Sequence, residues 1–170
     1  MYALAGGKVY AGGPFTSAGG DTLARSLASY SLRQPDASIG ATSTGPFVGN
    51  NVYSATGVGE VRSVTVKHRG HSTSYVRIQN DGLVTASFRV KGIGGATGIA
   101  ARYYRGTTNV TSAVRAGTYA TGNIAARASI LLRVVVSVAR SSAARTTFTT
   151  TCTSTSGTPR DATRLGVKAS

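Results

Sequence analysis

The chain has no tryptophan, a single cysteine and only 5 acidic residues among 170. Each scarcity removes a class of chemistry. One cysteine, Cys152, excludes an intrachain disulfide and any multi-cysteine metal site. It lies in the threonine-rich run TTFTTTCTST, whose alternation predicts a strand with a small buried side chain. The acids Asp21, Asp36, Glu60, Asp81 and Asp161 are too few and too scattered for a glycosidase carboxylate pair or an oxygen-rich calcium cage. Each stands in a turn-like setting, where a carboxylate accepts neighbouring backbone N–H groups.

Other absences point the same way. No apolar run approaches the ~20 residues that a membrane-spanning helix requires. Met1-Tyr2-Ala3-Leu4-Ala5 runs at once into Gly6-Gly7, without the basic and sustained apolar segments of a signal peptide, so export would need a signal upstream. There is no Gly-x-Ser-x-Gly elbow. The two histidines share one short segment, His68-Arg69-Gly70-His71, which has no third histidine or cysteine nearby and predicts an exposed turn. Gly92-Ile93-Gly94-Gly95-Ala96-Thr97-Gly98 has the letters of a phosphate loop but no following helix pattern and no Walker lysine, and predicts an inter-strand loop. No catalytic residue, metal ligand or cofactor site is expected, and the chain does not read as an enzyme.

What the sequence does contain is 22 glycines, many β-branched residues and a formal charge of +14, from 19 Lys+Arg against 5 Asp+Glu. β-Branched side chains fit a pleated surface better than a helix. The arginines recur singly, as in Val76-Arg77-Ile78, Phe88-Arg89-Val90 and Leu132-Arg133-Val134, where a period of two sends them to the solvent face of a strand. There they guard the sheets against edge pairing, and weak, salt-sensitive binding to polyanions follows from the charge itself.

Two textures meet near Gln34-Pro35-Asp36. Before it, runs at residues 2–5, 8–11 and 27–32 predict a three-stranded up-and-down meander with glycine turns, too small to fold without a neighbour. After it come seven strand candidates, at residues 61–67, 73–79, 85–91, 99–104, 129–138, 145–154 and 162–168, which indicate a sandwich. Asn80-Asp81-Gly82 predicts a tight hairpin. Ala86, Phe88 and Val90, and Ile130, Leu132, Val134, Val136 and Val138, are the predicted core. Residues 107–128 predict a long connection with a short strand around Tyr119, and no stretch predicts a helix.

Two family resemblances rest on these residues. Val9-Tyr10-Ala11-Gly12-Gly13-Pro14-Phe15-Thr16-Ser17-Ala18-Gly19-Gly20, followed by Leu27-Ala28-Ser29-Tyr30, resembles one repeat of the bacterial β-propeller family with VYVGG-x-F-x-x-AGG blades, although Pro14 replaces a more usual Asp, Ser or Asn. From about Pro35, the segments Tyr75 to Gly82, Ser87 to Gly92, Ser129 to Val138 and Asp161 to Leu165 resemble the immunoglobulin-like accessory domains of secreted bacterial proteins. Together they imply an all-β chain: a partial propeller repeat (residues 1–33), a linker (34–40) and an immunoglobulin-like β-sandwich (41–170), from the C-terminal portion of a larger exported protein. The implied role is a non-catalytic structural or interaction module, extracellular or at the cell surface. The alternative is a carbohydrate- or polyanion-binding module accessory to an upstream enzyme domain. The candidate surface residues are Arg77, Arg89, Arg133, Tyr103 and Tyr104, and the expected partners are a cell-surface polysaccharide or another extracellular protein.

Overall fold

The structure, a computed structural model, describes residues 2–5, 7–13, 27–140, 145–155 and 157–170. Strands β1 (Tyr2–Ala5), β2 (Lys8–Gly12) and β3 (Leu27–Ser31) form the expected antiparallel meander, in the order β1-β2-β3. The part of the propeller-like motif from Pro14 to Gly20 lies outside the described residues.

Residues 34–40 are not a linker. Pro35–Gly40 is β4, a strand buried along its whole length. It begins a six-stranded sheet with β5 (Phe47–Val48), β7 (His71–Asn80), β9 (Ile99–Arg105), β10 (Thr108–Asn109) and β12 (Ser129–Val138), ordered β10-β9-β12-β7-β4-β5. The facing sheet holds β6 (Val61–Val66), β8 (Phe88–Ile93), β11 (Tyr119–Ala120), β13 (Arg145–Ser154) and β14 (Arg160–Ala169), ordered β11-β8-β13-β14-β6. Every pair in the two sheets is antiparallel except β14 with β6, which is parallel, with Val167 opposite Val64. The chain's first sandwich segment is therefore split. Its β4 half lies in one sheet and its β6 half in the other, joined by the loop 49–60.

Alternation builds the core as expected. Val76 and Ile78, Ile130 to Val138 at every second position, Phe88, Val90, Phe148, Cys152, Leu165 and Val167 all face the space between the sheets and are buried. The opposite residues of the same strands face out, which accounts for the exposed or half-buried Arg77, Arg89 and Arg133.

Two further expectations fail. A short helix, α1 (Thr111–Ala116), stands in the connection expected to be irregular; Gly117 closes it in the left-handed region and buried Val114 anchors it. Six residues without an acidic first turn or a side-chain cap leave no periodic pattern to detect. Asn80-Asp81-Gly82 also makes no hairpin. Strand β7 is flanked by β4 and β12, so no edge remains for β8, and the chain crosses to the other sheet. Asn80 holds the corner: its Nδ2 donates to the carbonyls of Val84 and Ile124, and its Oδ1 accepts the Gly82 N–H.

Gly82 is glycine because the segment before β4 runs directly over it. A Cβ there would lie 2.3 Å from the Leu32 carbonyl oxygen and 2.7 Å from the Arg33 Cα. Leu32 also accepts the N–H groups of Leu83 and Val84, so the backbone cannot withdraw without breaking those bonds. Gly82→Ala is therefore expected to lower unfolding stability by about 2 kcal/mol or more, read as a shift in urea midpoint at unchanged slope. A midpoint within error of the parent would contradict the close approach.

Candidate functional site

The split first strand places four acids at one lateral end of the sandwich. Asp36 lies on β4, Glu60 just before β6, Asp81 just after β7 and Asp161 on β14, and all are buried, with Asp81 the most exposed at 8%. Sequence reading placed them in separate turns and missed this gathering. The available signal was local and weak: Asp36 stands one residue before the apolar-tolerant run at residues 37–40, and Asp161 directly before the strand candidate 162–168. Asp161 Oδ2 accepts the Ala37 N–H at 2.7 Å and its Oδ1 accepts the Ser54 N–H at 2.7 Å. Asp36 Oδ2 accepts the Asn51 N–H at 3.2 Å. Asp81 accepts the Tyr53 hydroxyl at 2.8 Å and the Gln79 amide at 2.7 Å. Three carboxylates thus hold one loop, residues 49–60, across the end of both sheets.

The charge state follows from burial. Desolvation pushes the Asp36 carboxyl up to about 6, the Asp81 and Asp161 charges adding to the rise and the Asn51 N–H opposing it. No partner meets either Glu60 oxygen at ordinary hydrogen-bond geometry, and desolvation together with the Asp161 charge raises this carboxyl to about 9, which favours its protonated form at pH 7. Burial raises Asp161 too, against the N–H groups of Ala37 and Ser54 that favour its ionised form. Among the described residues no group of three or more His, Cys, Asp or Glu side chains is arranged to hold a metal ion. Both Asp161 oxygens and Asp36 Oδ2 are directed at backbone donors, and Asp81 at the side chains of Tyr53 and Gln79.

The surface candidates divide. Arg77, Arg133 and Tyr104 come together on the outer face of the six-stranded sheet, in a row set by register: Phe47 opposite Gly40, Gly40 opposite Tyr75, Tyr75 opposite Arg133, Arg133 opposite Tyr104. The Arg133 guanidinium carbon stands 4.4 Å from the Tyr104 ring centroid, and that of Arg77 stands 4.8 Å from the Phe47 ring centroid. Arg77 also donates to Ser38 Oγ and Asn50 Oδ1. Arg102, opposite Val135, extends the pattern, so Arg102, Arg133 and Arg77 step diagonally over three strands at intervals of roughly 7–8 Å. Arg89 is exposed on the other sheet and does not join them.

Tyr103 is a correction. It is 2% exposed and belongs to the core, because adjacent residues of a strand face opposite ways and Tyr104 takes the outer face. Phe47 and Arg102 are the members of the row that sequence reading missed; the alternation Arg102, Tyr104 contained the second. His68 and His71 are both exposed, flanking a turn closed by the Gly70 N–H on the Lys67 carbonyl, as expected.

The two sheets, with β4-β7-β12-β9 facing β8-β13-β14-β6 and a parallel pair closing the second, define an immunoglobulin-like β-sandwich. No protein-family model matches the sequence, and no curated protein does. Among solved structures, the chain is similar to a family 123 glycoside hydrolase from Clostridium perfringens, with a TM-score of 0.53 and 7% identity over 81% of this chain but only 27% of that one. It is also similar to the N-terminal domain of PorA (TM-score 0.44, 11% identity, 78% of this chain and 96% of that one). A third likeness is to the CooA pilin subunit of enterotoxigenic Escherichia coli (0.43, 9%, 79% and 97%). At these identities the likeness is one of fold. Among the described residues no helix is long and apolar enough to cross a membrane.

The acid cluster sets a pH dependence whose sign is fixed. Asp36 and Glu60 hold their protons more tightly folded, at about 6 and about 9, than at their ordinary values of 3.8 and 4.5. Their contribution is full below pH ~4 and is lost as pH rises through those folded values. The thermal midpoint is expected to fall steadily from pH 5 to pH 9, and Glu60→Gln, neutral at every pH, to flatten the decline and melt higher than the parent at pH 9. A midpoint that climbs over this window would refute a neutral Glu60.

Proposed function

We propose that this chain is a non-catalytic interaction module of a larger exported protein, working outside the cell or at its surface, and that the outer face of the six-stranded sheet is what it presents. One observation carries the reading: the four described acids are all buried at one end, so that of the arginine row only Arg77 feels one of them, the buried Asp36, while Arg102 and Arg133 form no ion pair among the described residues. The single ion pair among the described residues, Arg127 with Asp81 at 3.7 Å, lies elsewhere. A row of guanidinium groups on a flat sheet suits a linear polyanion, whose charges repeat along an extended chain.

Two rings of the row are already engaged: Phe47 lies against Gly40 on one side and under Arg77 on the other, and one face of Tyr104 lies under Arg133. Neutral carbohydrate and single-stranded nucleic acid both depend on open aromatic faces. An acidic polysaccharide needs only the exposed edges of the guanidinium forks. The meander β1–β3, in its resemblance to a propeller repeat, supports placing the sandwich beside a larger domain, for which it acts as a spacer with an adhesive face.

Titration with heparin, and with an unsulfated uronate polymer, at low and physiological salt tests the reading. Binding is expected to weaken steeply with salt, and Arg77→Gln, Arg102→Gln and Arg133→Gln each to reduce the slope of log affinity against log salt, while Arg89→Gln does so least. Loss of affinity equal in Arg89→Gln and the sheet-face variants would mean diffuse charge rather than a face; no binding at low salt would sink the proposal.

A further inference from the structure

The cavity of about 340 Å³ beside Gly92, between the β8–β9 connection and Phe148, offers a ligand one accessible polar side chain, the exposed Arg115. The groove at the acid end of the sandwich offers several. It holds about 600 Å³, and four segments remote in sequence line it: Tyr30 and Gln34 around the entry to β4, Asn51 and Tyr53 from the loop 49–60, Leu83 from the corner after β7, and Arg127 from the connection into β12. Tyr53 is 51% exposed and Leu83 46%. Asn51 is exposed too, while Tyr30 and Gln34 are half-buried.

Backbone strain is concentrated at this groove. Among the described residues three that are not glycine adopt a positive φ, and two of them, Asn51 (φ 60°) and Arg127 (φ 66°), stand on it. Such conformations are sparsely populated by L-residues and gather at binding sites. Glycine would hold either backbone without steric conflict, yet both positions carry a side chain with hydrogen-bonding groups. The Asn51 amide has no hydrogen-bond partner among the described residues, only its backbone N–H being engaged, by Asp36. Gln34 engages only its Nε2, on the carbonyl of Pro35. The Arg127 side chain is 67% exposed and meets a single partner, Asp81, at 3.7 Å, which leaves most of its donors free. The Asp81 side chain is itself 2% exposed, so it touches no ligand and acts as a positioning residue. It accepts the Tyr53 hydroxyl at 2.8 Å, which fixes that ring with half its surface open, and contact with a ring already held costs little further ordering.

We propose that this groove binds a neutral saccharide of one or two rings, its C–H face against Tyr53 and Leu83 and its hydroxyls on the Asn51 and Gln34 amides and the Arg127 guanidinium. The side chains match that chemistry. A primary amide sets a donor beside an acceptor, which adjacent sugar hydroxyls complete, and an open tyrosine ring gives an apolar surface with a polar edge. The volume lies within the range of small-ligand pockets. Charge selects a neutral ligand over an anion: in a chain of net charge +14 this groove is balanced, with Arg127 met by Asp81 and with Asp36 beneath Asn51. No member of the arginine row lines it, so this site is separate from the polyanion face.

Amide NMR of the labelled chain, titrated with cellobiose, maltose and N,N′-diacetylchitobiose at low and physiological salt, reads the site directly. At least one of these disaccharides is expected to shift the amides of residues 51–53, 82–84 and 127, with an affinity that does not change with salt. Asn51→Gly and Arg127→Gly keep the backbone conformation, and each should weaken binding about fivefold or more, the range of one lost hydrogen bond. The thermal midpoint of Asn51→Gly should not fall below that of the parent. Arg89→Gln, on β8 and away from the groove, should leave saccharide affinity unchanged. Affinity unaltered in both glycine variants would reduce the groove to a surface hollow and overturn the assignment. So would an equal loss in Arg89→Gln, a steep salt dependence, shifts confined to residues outside the groove, or no shifts with any of the three.

Discussion

The sandwich depends on one buried carboxylate. Strand β5 covers only Ile39 and Gly40 of β4, so the N–H of Ala37, further back along that edge, meets no strand. Asp161, on the opposite sheet, supplies the missing acceptor with one oxygen and takes the Ser54 N–H with the other. A single side chain thereby fastens the two sheets to each other and to the loop that joins them. Charge-assisted bonds from backbone donors are what make so deep a carboxylate tolerable, since an ionised group with no donors would give up its charge. Glu60, which has no donor at ordinary hydrogen-bond geometry, is pushed toward its neutral form.

The split of the first strand between sheets follows from the same constraint. To leave β5 on one edge and arrive at β6 on the other, the chain must cross the end of the sandwich with its backbone polar groups satisfied. It uses Asp36 and Asp161 for this, while Asp81 holds the loop through the Tyr53 hydroxyl, and the crossing then positions β6 to lie parallel to β14.

This division of labour explains what could be read in advance. Strands β7, β12, β13 and β14 were legible because ten residues of strict alternation leave no other regular structure, and their outward arginines came with them. Which sheet each strand joins was not legible. Asn80-Asp81-Gly82 has the letters of a hairpin, and only the occupation of both flanks of β7 turns it into a crossing. Pro35–Gly40 read as a linker because its first residues are proline and aspartate, yet Asp36 is there to be buried. Tyr103 and Tyr104 looked alike as aromatic candidates, although the period of two already required one to face in and the other out. The cavity beside Gly92 was illegible for a different reason: its walls combine the β8–β9 connection with Arg115 and Phe148, which only the folded chain brings to it.

Drawing the acids inward has a consequence for the surface. With 19 basic residues against 5 acids, the exposed charge is left almost without opposition, and the folded state carries self-repulsion that an interleaved surface would relieve. Moving an acid outward would relieve it too, but would strip a donor-laden loop of its acceptor at the point where the sheets are fastened. Relief must then come from outside, from salt or from a bound anion. Any anion that prefers the folded form adds to its stability by mass action, and the arginine row over Phe47 and Tyr104 is where the unopposed charge reaches the surface in an ordered form.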